Sequence, residues 1–289
     1  MGAVVRILGA AAAFVGIVSL FKVDILAKVV PPSTAKALAE TWGRVADGLA
    51  IFLILCLLYV ILRAVRLRDK PLTILRTVVT IEIMPESARK YRVSRRQIIR
   101  ANKTGVSAVF SRMFPTPKAR VQKPTASARA PHGVTNEFEA QGSETHGWEG
   151  IHRFDPELPF PFYSPFIPDW WFKSDFERLG WFAKHCVVER TSSTEYDETD
   201  CDVNPHHGFL ADLYEQKNLD FTLIIPKPDQ GTIDPARVSS DVVGWEFTRQ
   251  AVIDHRPLPT PRNGGYELNV FLRRLYNSEF RFQWSGDLF

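Results

Sequence analysis

Gly48 to Leu62 is fifteen residues without a charge, and from Leu49 it reads Leu-Ala-Ile-Phe-Leu-Ile-Leu-Cys-Leu-Leu-Tyr-Val-Ile-Leu. It has no polar stripe, so it cannot lie as an amphipathic helix on a wet surface. It must be buried on all sides, in lipid or in protein. Ile7 to Phe21 is a second uncharged run of fifteen residues. As helices, the two cores span about 22 Å each, against roughly 30 Å of bilayer hydrocarbon. Extension to Ala3 and to Val45 adds only Arg6 and Asp47, charges that can reach headgroups from a helix end.

The expectation is therefore a membrane protein with an N-terminal two-helix transmembrane hairpin over residues 1–66. Pro31-Pro32 would end the first helix, and Trp42 would sit at the interface. The stretch Phe21 to Val30 offers no small-residue cleavage site, so a removed secretory signal is not expected. Arg63, Arg66, Arg68, Lys70 and Arg76 follow the second run directly. That places both termini on the cytoplasmic or matrix side, with the mitochondrial inner membrane as one setting.

Charge divides the rest of the chain. Residues 63–129 hold 17 basic and 3 acidic residues, a net of +14, while residues 130–289 hold 14 basic and 26 acidic, a net of −12. The whole-chain value of +4 conceals this polarity. Three cysteines exclude a disulfide framework. A basic block beside an anchor is expected to meet the lipid bilayer and its anionic lipids, each base contributing about 1 kcal/mol near the surface.

Within the basic block, Ala88-Arg-Lys-Tyr91-Arg-Val-Ser94 precedes Arg95-Arg96-Gln-Ile98-Ile-Arg-Ala-Asn102. These residues resemble the middle of a LysM module, a small β-α-α-β fold that in many proteins grips glycans containing N-acetylglucosamine. The resemblance covers about 20 residues. Glu82-Ile83-Met84-Pro85 stands where the module opens with Gly-Asp-Thr-Leu, and Val106 to Val121 holds no counterpart of its closing strand. It implies a small helical segment over residues 67–114, with Tyr91, Arg95, Arg96, Ile98 and Asn102 as candidate binding residues. The same letters also read as helix-turn-helix with Arg95 and Arg96 on the second helix. Nucleic acid and glycan are the less favoured partners, glycan because the topology places the segment inside.

Residues 115–154 are rich in Pro, Ala, Ser, Gly and Thr and read as an extended linker. From Pro156 to Pro168, prolines alternate with Phe160, Phe162, Tyr163 and Phe166, which predicts a strap laid on other protein subunits together with Trp170 and Trp171. Asp169 caps a predicted helix whose apolar face is Phe172, Phe176, Leu179 and Phe182. Alternation predicts strands at 219–225 and 245–249, and a last hairpin pairing 266–272 with 280–284 about Tyr276-Asn277-Ser278. Residues 155–289 thus read as an acidic, aromatic-rich α+β domain with an antiparallel sheet.

Catalytic signatures are absent: there is no Gly-rich phosphate loop ending in Lys-Ser/Thr, no Gly-x-Ser-x-Gly and no His-Glu-x-x-His. Asp200, Asp202 and Asn204 open like a calcium loop, but Pro205 and Ala211 fall where Gly and Glu are required. Cys201, His206 and His207 are the candidate metal ligands, at a spacing matching no standard zinc module. The plainer expectation is a solvated acidic loop facing the basic segment or a basic partner. No cofactor is expected. The residues together point to a non-catalytic accessory or scaffold subunit of a larger membrane complex, with a membrane-tethered module for a glycan or nucleotide as the alternative.

Overall fold

The computed structural model describes parts of residues 48–62, and residues 70–289 apart from 132, 162–163, 165–166, 168, 174–175, 211–213, 228–236, 245–258, 263–264, 276–277 and 289. The chain divides into two units, Met1–Asp69 and Lys70–Phe289. In the first unit, the described residues of the second apolar run are helical and expose Ile51, Phe52, Ile54 and Leu55. The first run and Pro31-Pro32 lie outside the described residues. Among the described residues no helix is long and apolar enough to cross a membrane. This corrects the expected transmembrane hairpin: the described residues of the second run are helical, as its composition favours, but no helix among them reaches the length of the hydrocarbon layer.

The second unit is built on strands. β1 (Leu72–Met84) carries eight β-branched residues in thirteen, which favours the pleated backbone over a helix. It pairs antiparallel with β2 (Ser87–Ala101), and β2 with β8 (Val187–Asp197). On its other side β1 pairs in parallel with β10 (Glu215–Ile225), and β10 pairs antiparallel with β13 (Gly265–Leu275). β12 (Pro259–Arg262) lies at one edge, and β4 (Arg120–Val121) and β5 (Thr125–Arg129) both pair with β8 at the other. Two three-stranded sheets accompany this one. The first is ordered β11 (Val238–Gly244), β14 (Ser278–Trp284), β9 (His206–Leu210); the second is β3 (Ala108–Met113), β7 (Gly147–Asp155), β6 (Thr135–Ser143).

Alternation sends Tyr91, Val93, Arg95, Gln97, Ile99 and Ala101 of β2 to one face of the large sheet. Both small sheets cover that face. Phe209 of β9 and Phe280, Phe282 and Trp284 of β14 pack on Val79, Ile81, Val93, Phe221 and Leu223 at one end. Val109 of β3 and Phe154 of β7 pack on Leu72, Ile74, Ile99 and Val188 at the other. On the opposite face, Leu75 and Ile98 bury Phe172, Leu179, Ala183 and Cys186. Leu75 reaches that side because the β1–β2 register shifts between Ile74 and Arg76.

Several expectations are corrected here. Residues 82–103 are the end of β1, a turn and β2, not two helices, because the inward positions of β2 from Tyr91 to Ile99 are each matched by a partner on β1 and on β8. Residues 115–154 form β4 to β7, with the aid of their neighbours' backbone groups. The helix after Asp169 is broken into two 3-10 turns, Asp169–Lys173 and Phe176–Arg178, and one turn of α-helix, Trp181–Lys184, although Phe172 and Leu179 are buried as its apolar face requires. β13 and β14 do not pair with each other; they belong to different sheets. The predicted strand at 245–249 lies outside the described residues.

The charge polarity of the sequence closes within the fold. Bases of the 63–129 block meet carboxylates of the acidic block at Arg76–Asp220, Lys90–Asp197, Arg92–Glu195, Arg96–Glu189, Arg100–Asp169 and Lys118–Asp202. Strands β2 and β8, one from each block, are neighbours, so opposite charges face each other across the ladder.

Candidate functional site

Between the two apolar ends, the covered face of the large sheet turns polar. Thr77 of β1, Arg95 and Gln97 of β2, Arg190 of β8 and Gln216 of β10 lie in this band. Above it the two small sheets part and leave a cavity of about 600 Å³. β9 supplies His206 and His207 to its wall, β3 supplies Ser111 and Met113, and Glu198 comes from the turn after β8.

The floor is fixed by short-range bonds. Gln216 Oε1 accepts from Thr77 Oγ1 at 2.8 Å and from Gln97 Nε2 at 3.4 Å. Arg190, 2% exposed, donates from one terminal nitrogen to Ser111 Oγ at 2.8 Å. The guanidinium carbon of Arg95 stands 4.6 Å from the ring centre of Phe209. Tyr91 and Tyr196 stack with centroids 5.0 Å apart, and the His207 ring meets both edge-on. The Tyr91 hydroxyl lies 3.0 Å from Glu198 Oε1 and 3.0 Å from the main-chain oxygen of His206. Burial holds Glu198 above the usual carboxylate range, against hydrogen bonds from Tyr91 and Thr116 that favour its charged form.

Three buried nitrogens on this wall have no hydrogen-bond partner: Nε of Arg95, Nε of Arg190 and Nε2 of His207. Neither arginine forms an ion pair with a carboxylate among the described residues, in contrast to the outer face, where Arg96 and Glu189 pair. Burial first, and then the neighbouring Arg95, lowers Arg190 to about 10, and burial lowers Arg95 as well. Burial followed by the charge of Arg95 takes His207 down to about 3, so its imidazole is neutral at pH 7. Burial also raises the Tyr196 hydroxyl to about 12. The cavity therefore presents a buried cation, Arg190, a half-buried one, Arg95, and a neutral imidazole, while its carboxylates Glu198 and Glu279 are engaged with Tyr91 and Arg281.

Of the candidate binding residues in the sequence, Tyr91 and Arg95 line this cavity. Arg96 lies on the opposite face, and Ile98 is packed in the apolar cluster there. Asn102 is structural: its side-chain amide donates to Lys70 O and Thr73 Oγ1, both at 2.9 Å, fastening the end of β2. Phe160 is half-buried and Trp171 exposed; Phe162, Tyr163, Phe166 and the Trp170 side chain lie outside the described residues. Among the described residues no group of three His, Cys, Asp or Glu side chains is placed to hold a metal. Cys201 is buried with its thiol toward Pro117 O, while His206 and His207 face the cavity. The sequence reading missed Gln97, Arg190, Gln216 and Glu198. A signal for Gln97 was present: polar residues at inward positions of an otherwise alternating Tyr91-x-Val93-x-Arg95-x-Gln97-x-Ile99.

No protein-family model matches the chain, and no curated protein matches it. Solved structures similar to it include a Parabacteroides distasonis protein proposed to be a protease, at TM-score 0.38 and 6% identity over 74% of this chain and 40% of that one. The M1 zinc metallopeptidase of Deinococcus radiodurans matches at TM-score 0.36 and 10% identity, over 74% of this chain and 42% of that one. Yeast LTA4 hydrolase matches at TM-score 0.33 and 8% identity, over 74% of this chain and 29% of that one. The chain spans less than half the length of each. Likenesses this distant transfer no activity to it.

The expectation of a non-catalytic accessory subunit in a membrane complex, with the mitochondrial inner membrane as its setting, is corrected on these findings. Among the described residues no helix is long and apolar enough to cross a membrane. The physical reason lies in the charge: the basic and acidic blocks that suggested docking to lipid and to partners largely pair with each other inside one sheet assembly.

Proposed function

We propose that the unit Lys70–Phe289 binds a small anionic molecule, with its carboxylate or phosphate group held between Arg95 and Arg190. The observation that carries this reading is the pair of arginines in one cavity, each with an unpartnered Nε and, among the described residues, without a carboxylate ion pair. Leaving such cations desolvated costs stability, and an incoming anion offsets that cost through charge-assisted hydrogen bonds of about 1.5–3 kcal/mol each. Neutral His207 adds one more hydrogen-bonding nitrogen without adding charge.

The test is calorimetric titration of the protein with inorganic phosphate, acetate and citrate, repeated on Arg190→Met and Arg95→Met. Binding to the wild type that weakens about tenfold or more in each variant is the expected result. Equal affinity for wild type and both variants would overturn the assignment.

A further inference from the structure

The mouth of the cavity differs in kind from its floor. Among the described residues of the second unit, five large apolar side chains are exposed: Phe110, Phe114, Trp171, Trp181 and Val203. Three of them belong to residues at this cavity, Phe110 at 49% exposure, Phe114 at 62% and Val203 at 50%. Phe110 stands mid-strand in β3 between the buried Val109 and Ser111, so it meets the cavity through its main-chain amide, which donates to the Tyr214 hydroxyl. Phe114 follows β3 and Val203 comes from the turn before β9, and these two exposed side chains make the rim apolar.

An inorganic anion would use only the floor. It would leave this apolar rim wet, at a cost proportional to the area exposed. From the opposed ends, a cationic floor and an apolar mouth, we infer that the ligand is an amphiphilic anion: a single anionic head between Arg95 and Arg190, with an aliphatic or aromatic body leaving past Phe114 and Val203. A volume of about 600 Å³ admits a body of medium length together with its head. The inference rests on the anion reading above and specifies the class of molecule that fits it.

The experiment is a binding series on the full chain with acetate, octanoate, dodecanoate, dodecyl phosphate and uncharged dodecanol. Affinity is expected to rise about two- to fourfold per methylene until the rim is covered. Dodecanol should bind at least tenfold more weakly than the charged chains. The double variant Phe114→Ser with Val203→Ser should flatten the chain-length dependence while retaining the short anions, and Phe114→Leu with Val203→Leu should restore it. Both variants alter exposed side chains, and circular dichroism checks that they fold. Tighter binding of the carboxylate or of the phosphate identifies the source of the head group; either result supports the amphiphile. Anion binding that is independent of chain length overturns this inference and leaves the anion reading intact. Dodecanol binding as tightly as dodecanoate, or no binding by any member of the series, overturns both.

Discussion

Arg95 on β2 and Arg190 on β8 project from the same face of adjacent strands, one diagonal step apart: Arg95 stands opposite Ser192, and Gln97 opposite Arg190. Two cations on neighbouring strands repel, and in the cavity floor Arg190 is buried and Arg95 half-buried. Packing keeps them there. Phe209 lies beneath Arg95, and Phe138 stands 5.8 Å from the guanidinium of Arg190.

This arrangement sets a trade between stability and binding. Arg190→Met keeps much of the volume and removes a buried charge with no carboxylate partner. The variant should be more stable than the wild type by about 1–4 kcal/mol, a rise of about 2–4 °C in Tm per kcal/mol, while losing anion affinity. Scanning calorimetry without added anions checks the first half; a lower Tm for the variant contradicts it.

His207 predicts an acid limb. Its folded pKa of about 3 lies below the 6.5 of an unfolded histidine, so between these values the unfolded chain binds more protons than the folded one. Stability is full above about pH 6.5 and is lost as pH falls toward 3, by up to about 1.4 kcal/mol per pH unit. His152, lowered to about 4 chiefly by burial, acts in the same direction over the window from 6.5 to about 4. Glu198, raised by burial, acts the other way: it favours the fold as pH drops through its raised folded pKa toward 4.5. Urea midpoints measured from pH 7 to pH 4 should therefore fall with decreasing pH, and His207→Asn should remove about one proton from the slope. An unchanged slope in that variant rules out His207 as a contributor.

Phe280 joins the small sheet to the large one, with its ring centroid 4.3 Å from that of Phe221. It is 1% exposed, so Phe280→Ala leaves a cavity between two strand layers that can close only by moving the sheets. The expected cost is about 3–5 kcal/mol. Urea denaturation reads it, and a loss below about 1 kcal/mol would mean that the layers are not packed as described.

Gly147 opens β7 at φ +91°, where an L side chain is strained, and a methyl group there would run into the carbonyl oxygen of Met113. Gly147→Ala should cost more than about 1 kcal/mol and loosen the β6–β7 hairpin beside the cavity rim. Hydrogen exchange of the β6 and β7 amides relative to those of β1 is the measurement. Uniform protection in both would count against it.

Much of the large sheet's local structure was written in the sequence. The β-branched run Leu72–Met84 and the alternation Leu219–Ile225 and Tyr266–Leu272 make strands on local grounds, because each places apolar side chains on one face at every second residue. β2 was obscured at the positions that now matter. Arg95 and Gln97 interrupt its inward apolar series, so a reader of local pattern sees basic helices, and the functional residues hide the strand that carries them. Partner choice was not local either. β1 and β10 pair in parallel at Thr73↔Glu215, across nearly half the chain, and β13 and β14, adjacent in sequence, enter different sheets.

The sequence alone determined the two uncharged runs, the strand patterns at 219–225, 266–272 and 280–284, and the separation of a +14 block from a −12 block. Only the tertiary structure decided what that separation is for. By setting β2 beside β8, the fold neutralises bases against acids on its outer face, at Arg92–Glu195 and Arg96–Glu189, because side chains there face one another across a ladder. On the covered face the same two strands bring Arg95 and Arg190 together with no carboxylate opposite. Charge alone could not reveal that difference, since alternation assigns successive residues of one strand to opposite faces, and the pairing of distant strands decides what each face meets.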